Sequence, residues 1–193
     1  MKSLSITRWS RRHDACGALL ESYSEILEAL EKFESDATKK TSARCEARGL
    51  MNSLDKLETA FMTVFWAYLL QPFSPSSKAL QAADADISLA ISLYKAMNEL
   101  TSEMRTEADK FFGKFEEAAK NLLPGVDYQE VRQRRRTLRP EESRGDEETI
   151  LDRRTNLKRN VFLPILGNVS TELKKRAPGY EAIYKKFFSL SNR

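Results

Sequence analysis

Five arginines, Arg132, Arg134, Arg135, Arg136 and Arg139, crowd into a short stretch and form the most polarised local feature of the sequence. A guanidinium offers a planar fork of donors that pairs bidentately with phosphate, so the run suits a polyanion contact or a nuclear-import signal. Glu141, Glu142, Asp146, Glu147 and Glu148 follow at once and can screen it in cis, which makes a self-neutralising loop the alternative. Arg8 and Trp9 are a second candidate. An indole beside a cation can stack on an unpaired base, worth ~1–3 kcal/mol, or simply pack at a rim. His13 is the one histidine. With no cysteine or second histidine at ligand spacing it supports neither a zinc site nor a nucleophile triad, and reads as a surface helix residue. Cys16 and Cys45 make no metal-like pair and read as free thiols of a reducing compartment. The acidic pairs Glu107 with Asp109, Glu116 with Glu117 and Asp84 with Asp86 read as the charged outer face of a helix. No glycine-rich phosphate loop occurs. Neither a metal nor a cofactor is expected.

The elements that must position these groups are helical. From Ser77 to Leu122 the apolar residues Leu80, Ala83, Ile87, Ile91, Tyr94, Met97, Leu100, Met104, Ala108, Phe111, Phe115, Ala119 and Leu122 recur in steps of three and four. That period predicts one long helix buried along one side, over about 77–122. Such a rod would reach roughly 65–70 Å, so neighbours must sheathe it or it must bend. Gly113 is the cheapest internal break, at about 1 kcal/mol relative to alanine. A first helix is predicted over about 10–34, on Ala15, Leu19, Tyr23, Ile26, Leu30 and Phe33, with Ser10 as its cap. A second is predicted over about 42–70, on Ala43, Ala47, Leu50, Leu54, Leu57, Phe61, Val64 and Tyr68. Its C-terminal half is apolar on most sides and should be the best enclosed part of the chain.

Residues 1–9 read as an extended lead-in, and 10–122 as the helical domain. Between Tyr128 and Arg154 eight arginines and seven acidic residues stand among few apolar groups. A segment so poor in apolar surface cannot offset its ordering entropy, so 123–152 reads as a mobile charged linker. Order is expected to return over 153–193, with a helix kinked or split at Pro164, a stop at Ala177-Pro178-Gly179 and a short C-terminal helix, packing back on the domain. The fold class is all-α, with long antiparallel helices.

The totals fit that class. In 193 residues, 41% are hydrophobic and 31% charged, while glycine and proline are scarce, which excludes an all-β fold. The net charge of +4 permits a polyanionic partner without requiring one. No apolar run is long enough for a transmembrane helix, and no membrane partner is expected. The start carries no apolar core of a secretory signal.

Several blocks, in order along nearly the whole chain, resemble hAT-superfamily transposases. Ser5-Ile6-Thr7-Arg8-Trp9-Ser10, with Arg12-His13-Asp14-Ala15, is similar to their Thr-Arg-Trp block. Arg44-Cys45-Glu46-Ala47-Arg48-Gly49-Leu50 resembles a segment of transposase-derived proteins of the zinc finger MYM-type-like kind. Phe73-Ser74-Pro75-Ser76-Ser77-Lys78-Ala79-Leu80-Gln81 resembles a turn of theirs. Phe162-Leu163-Pro164-Ile165-Leu166, with Glu172-Leu173, Arg176 and Tyr180, resembles the block that returns to the catalytic domain. The resemblance implies the large helical insertion that interrupts an RNase H-like domain. In that family two catalytic aspartates precede the Thr-Arg-Trp block and a glutamate follows the insertion, holding two divalent metals between them. Neither part is expected within these residues, so the expectation is a chain without catalysis of its own. By carry-over, Trp9 with Arg8 beside it would stack on a flipped base.

The function expected is therefore that of a helical fragment of an hAT-type, transposase-derived protein that contributes DNA-end or protein contacts. Its nucleic-acid-binding candidates are Arg8, Trp9, Arg132, Arg134, Arg135, Arg136 and Arg139. Partners would be DNA, a transposase catalytic domain or a second copy of the chain. The setting would be nuclear if the arginine run is an import signal, and cytoplasmic otherwise. The alternatives are a protein–protein interaction scaffold without nucleic-acid binding, and a transposase subunit completed by carboxylates from another chain.

Overall fold

The computed structural model describes residues 6–73, 87–128 and 152–191, and among them the chain is all-α with no strand. In chain order the helices are α1 (Ile6–Glu21), α2 (Tyr23–Ser35), α3 (Thr41–Leu54), α4 (Leu57–Leu70), α5 (Ile87–Thr106) and α6 (Ala108–Leu122). A short α7 (Arg153–Asn156), a π-helical turn (Leu157–Phe162) and α8 (Leu163–Ser191) complete it. A single-turn 3-10 segment, Gln71–Phe73, follows α4.

The first predicted helix is divided. Its start moves back to Ile6, so the second half of the expected extended lead-in is helical, and Ser22 interrupts it. Helical hydrogen bonding passes through the distortion, since the Ser22 amide donates to the Ala18 carbonyl and the Ile26 amide to the Ser22 carbonyl. The bend serves two partners: α1 packs on α4, whereas α2 packs on α3. The α2–α3 pair is an antiparallel hairpin. At one end Tyr23 donates its hydroxyl to the Leu54 carbonyl at 2.8 Å. At the other, Arg44 reaches the Glu34 carbonyl at 2.6 Å.

The second predicted helix also turns a corner, at Asp55 and Lys56. Lys56 is extended (φ −131, ψ 132) and caps α4, its carbonyl accepting from the amides of Thr59 and Ala60. The carbonyls left open at the end of α3 find other donors. Leu54 accepts from the Lys56 amide as well as from Tyr23, and Ser53 accepts from the Thr59 hydroxyl at 2.7 Å. A helix end whose orphan carbonyls are satisfied this way costs little, so the chain bends although its apolar spacing runs on unbroken.

The predicted spine is bent rather than straight. Residues 77–86 lie outside the described residues, and from Ile87 onward the irregular point is Glu107 (φ −103, ψ 39), not Gly113. Gly113 sits inside α6 with open space where a Cβ would go. The expected stripe holds otherwise: Met97, Met104, Phe111, Phe115 and Ala119 are buried, and Leu100, Ala108 and Leu122 are half-buried against the core.

That core is aromatic and centred on α4 and α6. Leu57, Ala60, Phe61, Phe65, Leu69 and Leu70 of α4 are buried, as the enclosed second half of the predicted helix requires. Phe61 meets Phe112 at a centroid separation of 4.7 Å. Phe162 touches Phe61, Phe65, Phe112 and Phe115 at 6.0, 5.4, 5.6 and 6.3 Å, all near edge-to-face. Burying such a side chain contributes roughly 1.5–3 kcal/mol, and favourable ring pairs add ~0.5–1.5 kcal/mol.

The C-terminal region departs furthest from expectation. Neither Pro164 nor Ala177-Pro178-Gly179 ends a helix; α8 is continuous from Leu163 to Ser191 and includes Pro178. The π-turn explains the first. Leu163 donates its amide to the Lys158 carbonyl, five residues back, and Pro164, which has no amide, follows immediately. The wide turn relieves the ring's clash with the preceding carbonyl, and Arg159 and Asn160 are exposed to water. Pro178 is exposed within α8. Arg105 at the end of α5 stands over Gly167 near the start of α8, where a Cβ would lie 3.0 Å from its Nη1. With the broad contact between the two helices, this places them antiparallel.

Candidate functional site

Ion pairs join α4 and α6 to the segment that opens the C-terminal region. Glu116 of α6, expected on an outer face, is buried at 9% exposure. It lies beside Phe115 and one turn from Phe112, at the edge of the apolar stripe, where a carboxylate needs a cationic partner. Arg154 supplies it: Nε lies 2.9 Å from Oε1 and 3.0 Å from Oε2, and Nη2 lies 2.9 Å from Oε2. The same guanidinium is stacked on the Phe112 ring at 5.2 Å. Tyr128 donates its hydroxyl to Glu116 Oε1 at 2.9 Å.

The electrostatics follow from this clasp. Burial pushes the Glu116 carboxyl up, but Arg154, the Tyr128 hydroxyl and Lys120 outweigh it and hold the group below its usual range. Burial and then Glu116 raise the Tyr128 phenol, so it stays a donor. Beside the clasp, Arg153 pairs with Glu58 of α4 at 3.0 Å, and Lys158 pairs with Asp109 of α6. Lys158 lowers the Asp109 carboxyl. An open groove of about 620 Å³ lies at the Glu58–Arg153 pair, lined also by Met62, Leu157 and Val161.

Arg153 and Arg154, read with the charged linker, are thus fasteners of the helical body. The linker's first residues are likewise packed: Leu123 is buried, and Val126 and Tyr128 lie against the core. Arg132, Arg134, Arg135, Arg136 and Arg139 fall in 129–151, outside the described residues. Arg8 and Trp9 lie within α1, not ahead of it, and only their backbone is described. His13, expected at the surface, has a side chain only 20% exposed, with Nδ1 3.6 Å from Asp14 Oδ1. Both cysteines are free, and burial raises the Cys16 thiol.

Sequence reading missed Glu116, Tyr128 and Arg154 as a unit. The available signal was the acidic residue at the edge of an apolar stripe; its partner lies 38 residues away. Among the described residues no group of three or more acidic, histidine or cysteine side chains gathers as a metal site would, and no helix is long and apolar enough to cross a membrane. No protein-family model, curated protein or solved structure matches this chain.

Proposed function

We propose that the chain is the helical insertion region of an hAT-type, transposase-derived protein, contributing DNA-end contacts without catalysis of its own. One observation carries the reading: Tyr128 and Arg154, which flank the arginine-bearing sequence 129–151, meet on the single carboxylate of Glu116. The described residues on either side of that sequence are therefore fixed at one place on the helical body. Three acids of the body around that place are already committed, Glu116 to Arg154, Glu58 to Arg153 and Asp109 to Lys158. These three are not free to neutralise Arg132, Arg134, Arg135, Arg136 and Arg139, so an external polyanion competes for that run only with the acids that follow it in sequence, Glu141, Glu142, Asp146, Glu147 and Glu148. The same run would serve nuclear import, and Arg8 with Trp9 would supply base stacking.

The test is DNA binding across a salt series. Arg134→Ala with Arg135→Ala should weaken binding and reduce the slope of log K against log salt by roughly two. Trp9→Ala should selectively weaken hairpin or flipped-base substrates. An unmutated chain that binds no DNA at low salt would overturn the reading.

A protein-interaction scaffold is the second reading, and the α2–α3 hairpin favours it. Leu50 there is 58% exposed and Phe33 38%, unusual for residues on an apolar stripe. A partner protein, a transposase catalytic domain included, would cover them; substituting Leu50→Glu should abolish such an association and leave DNA binding intact.

A further inference from the structure

The tyrosine side chains described in the structure meet different partners. Tyr23 is buried and donates to the Leu54 backbone carbonyl. Tyr68 is packed between Phe111 and Phe115, with the Lys114 ammonium 4.4 Å from its ring centre. Tyr128 is half-buried and donates to the Glu116 carboxylate. It lies on the irregular stretch after α6, which turns at Gly125 (φ 83) and is tied down by Leu123, Val126 and the phenol itself. Those three side chains and the amide bonds of Leu123 and Val126 hold it in place of a continuous helical ladder, so it opens locally at lower cost than the helices. Asp127 precedes the tyrosine and Glu130 follows it closely in sequence.

We propose that Tyr128 is a phosphorylation site whose modification releases this stretch from Glu116. The donor is ATP and the catalyst a tyrosine kinase. Tyr128 Oη forms a bond to the γ-phosphorus, the bond between that phosphorus and the β,γ-bridging oxygen breaks, ADP departs with the electron pair, and the phenolic proton passes to the kinase's base. The product carries about −1.5 to −2 charge and no longer has a hydroxyl to donate to the carboxylate. It would face a buried anion whose guanidinium partner is already held by two oxygens of Glu116 and by the Phe112 face. Lys120 is the other cation acting on Glu116, and Glu58 and Asp109 add further negative charge around Tyr128 and Arg154. Separation of the two anions wins: Tyr128 swings out, and the Arg154–Glu116 pair stays closed. A second consequence rests on the arginine run being the DNA contact. A phosphate at Tyr128, close to Arg132 in sequence, competes with DNA for that run.

The experiment treats the full chain with Mg-ATP and the catalytic domain of a broad-specificity tyrosine kinase. Tandem mass spectrometry locates the phosphate, and hydrogen exchange is read at Leu123 and Val126, whose amides donate to the carbonyls of Ala119 and Leu123. Tyr128 should be modified well ahead of Tyr23. Exchange at Leu123 and Val126 should then rise about tenfold, while the mock-treated chain and a kinase-treated Tyr128→Phe chain show no such rise. Modification of Tyr128 in a peptide digest but not in the folded chain would overturn the proposal, as would modification with exchange unchanged. Weaker DNA binding after modification supports the link to the arginine run. A chain that never binds DNA overturns that link alone, because exchange decides the release of Tyr128 independently.

Discussion

Around α4 and α6 the rings of Phe61, Phe65, Phe112, Phe115 and Phe162 are wholly buried, whereas across α2 and α3 only Tyr23 and Ala47 are. The hairpin is held instead by polar bonds at its two ends: Tyr23 to the Leu54 carbonyl, and Arg44 and Arg48 to Glu34. The difference is one of force law. Apolar burial scales with the area removed from water, while an exposed ion pair contributes little and is screened by salt. The aromatic centre should therefore set global stability, and the hairpin should open first under denaturant or exchange conditions.

The comparison breaks most visibly at Phe162. Phe162→Ala should cost about 3–5 kcal/mol by urea denaturation, since it empties a site bordered by four other rings. A cost below ~1 kcal/mol would show that the centre is not the stabilising region. Glu116→Gln should come next, at about 1–3 kcal/mol, because Arg154 then loses its charged partner. Its pH dependence is the sharper reading. The folded-state carboxyl lies below its ordinary value of 4.5, so its contribution is fully present above that value and is lost as pH falls through the lower, folded one. The Gln variant should lack that acid-labile component in denaturation curves taken between pH 6 and about pH 3.

On the hairpin the effects shrink. Tyr23→Phe should cost about 1 kcal/mol and hasten exchange at the ends of α2 and α3. Burial and Asp55 push the Tyr23 phenol up to about 12. Its contribution is therefore complete below its ordinary value of 10.0 and should vanish as pH rises through about 12, a loss absent from the Phe variant. Arg48→Ala, which removes an exposed ion pair to Glu34, should leave the urea midpoint nearly unchanged, and the small effect should fade further in high salt.

The same contrast explains what was legible in the sequence. Apolar spacing located the all-α class, the enclosed second half of the second helix, and the stripe through Met97, Met104, Phe111 and Phe115. It could not locate the corners at Ser22, Asp55 and Glu107, because the periodicity carries through them. The bonds that satisfy the corner at Asp55 include one from Tyr23, 31 residues away. Proline misled for a related reason: a ring that would end an isolated helix is tolerated at Pro164, where a wide turn absorbs it. Of the candidate site, the arginine run was plain to read. The clasp was not, since nothing local to Glu116 names Arg154 as its counterion.

The π-turn has a consequence for chain length. Leu157, Val161, Ile165 and Val169 recur every fourth residue, yet the buried side chains here are Leu157, Phe162 and Leu166. The five-residue stride from Leu157 to Phe162 is what the extra residue in the turn makes possible. Excising one position there, Asn160 for example, would let the turn relax to ordinary α geometry and rotate the helix beyond it by about 100° relative to the helix before it. Phe162 would leave its ring cluster, or Arg154 and Lys158 would leave their acids. A single codon in this stretch thus governs whether the ion pairs before the turn and the ring contacts at its end can form at once.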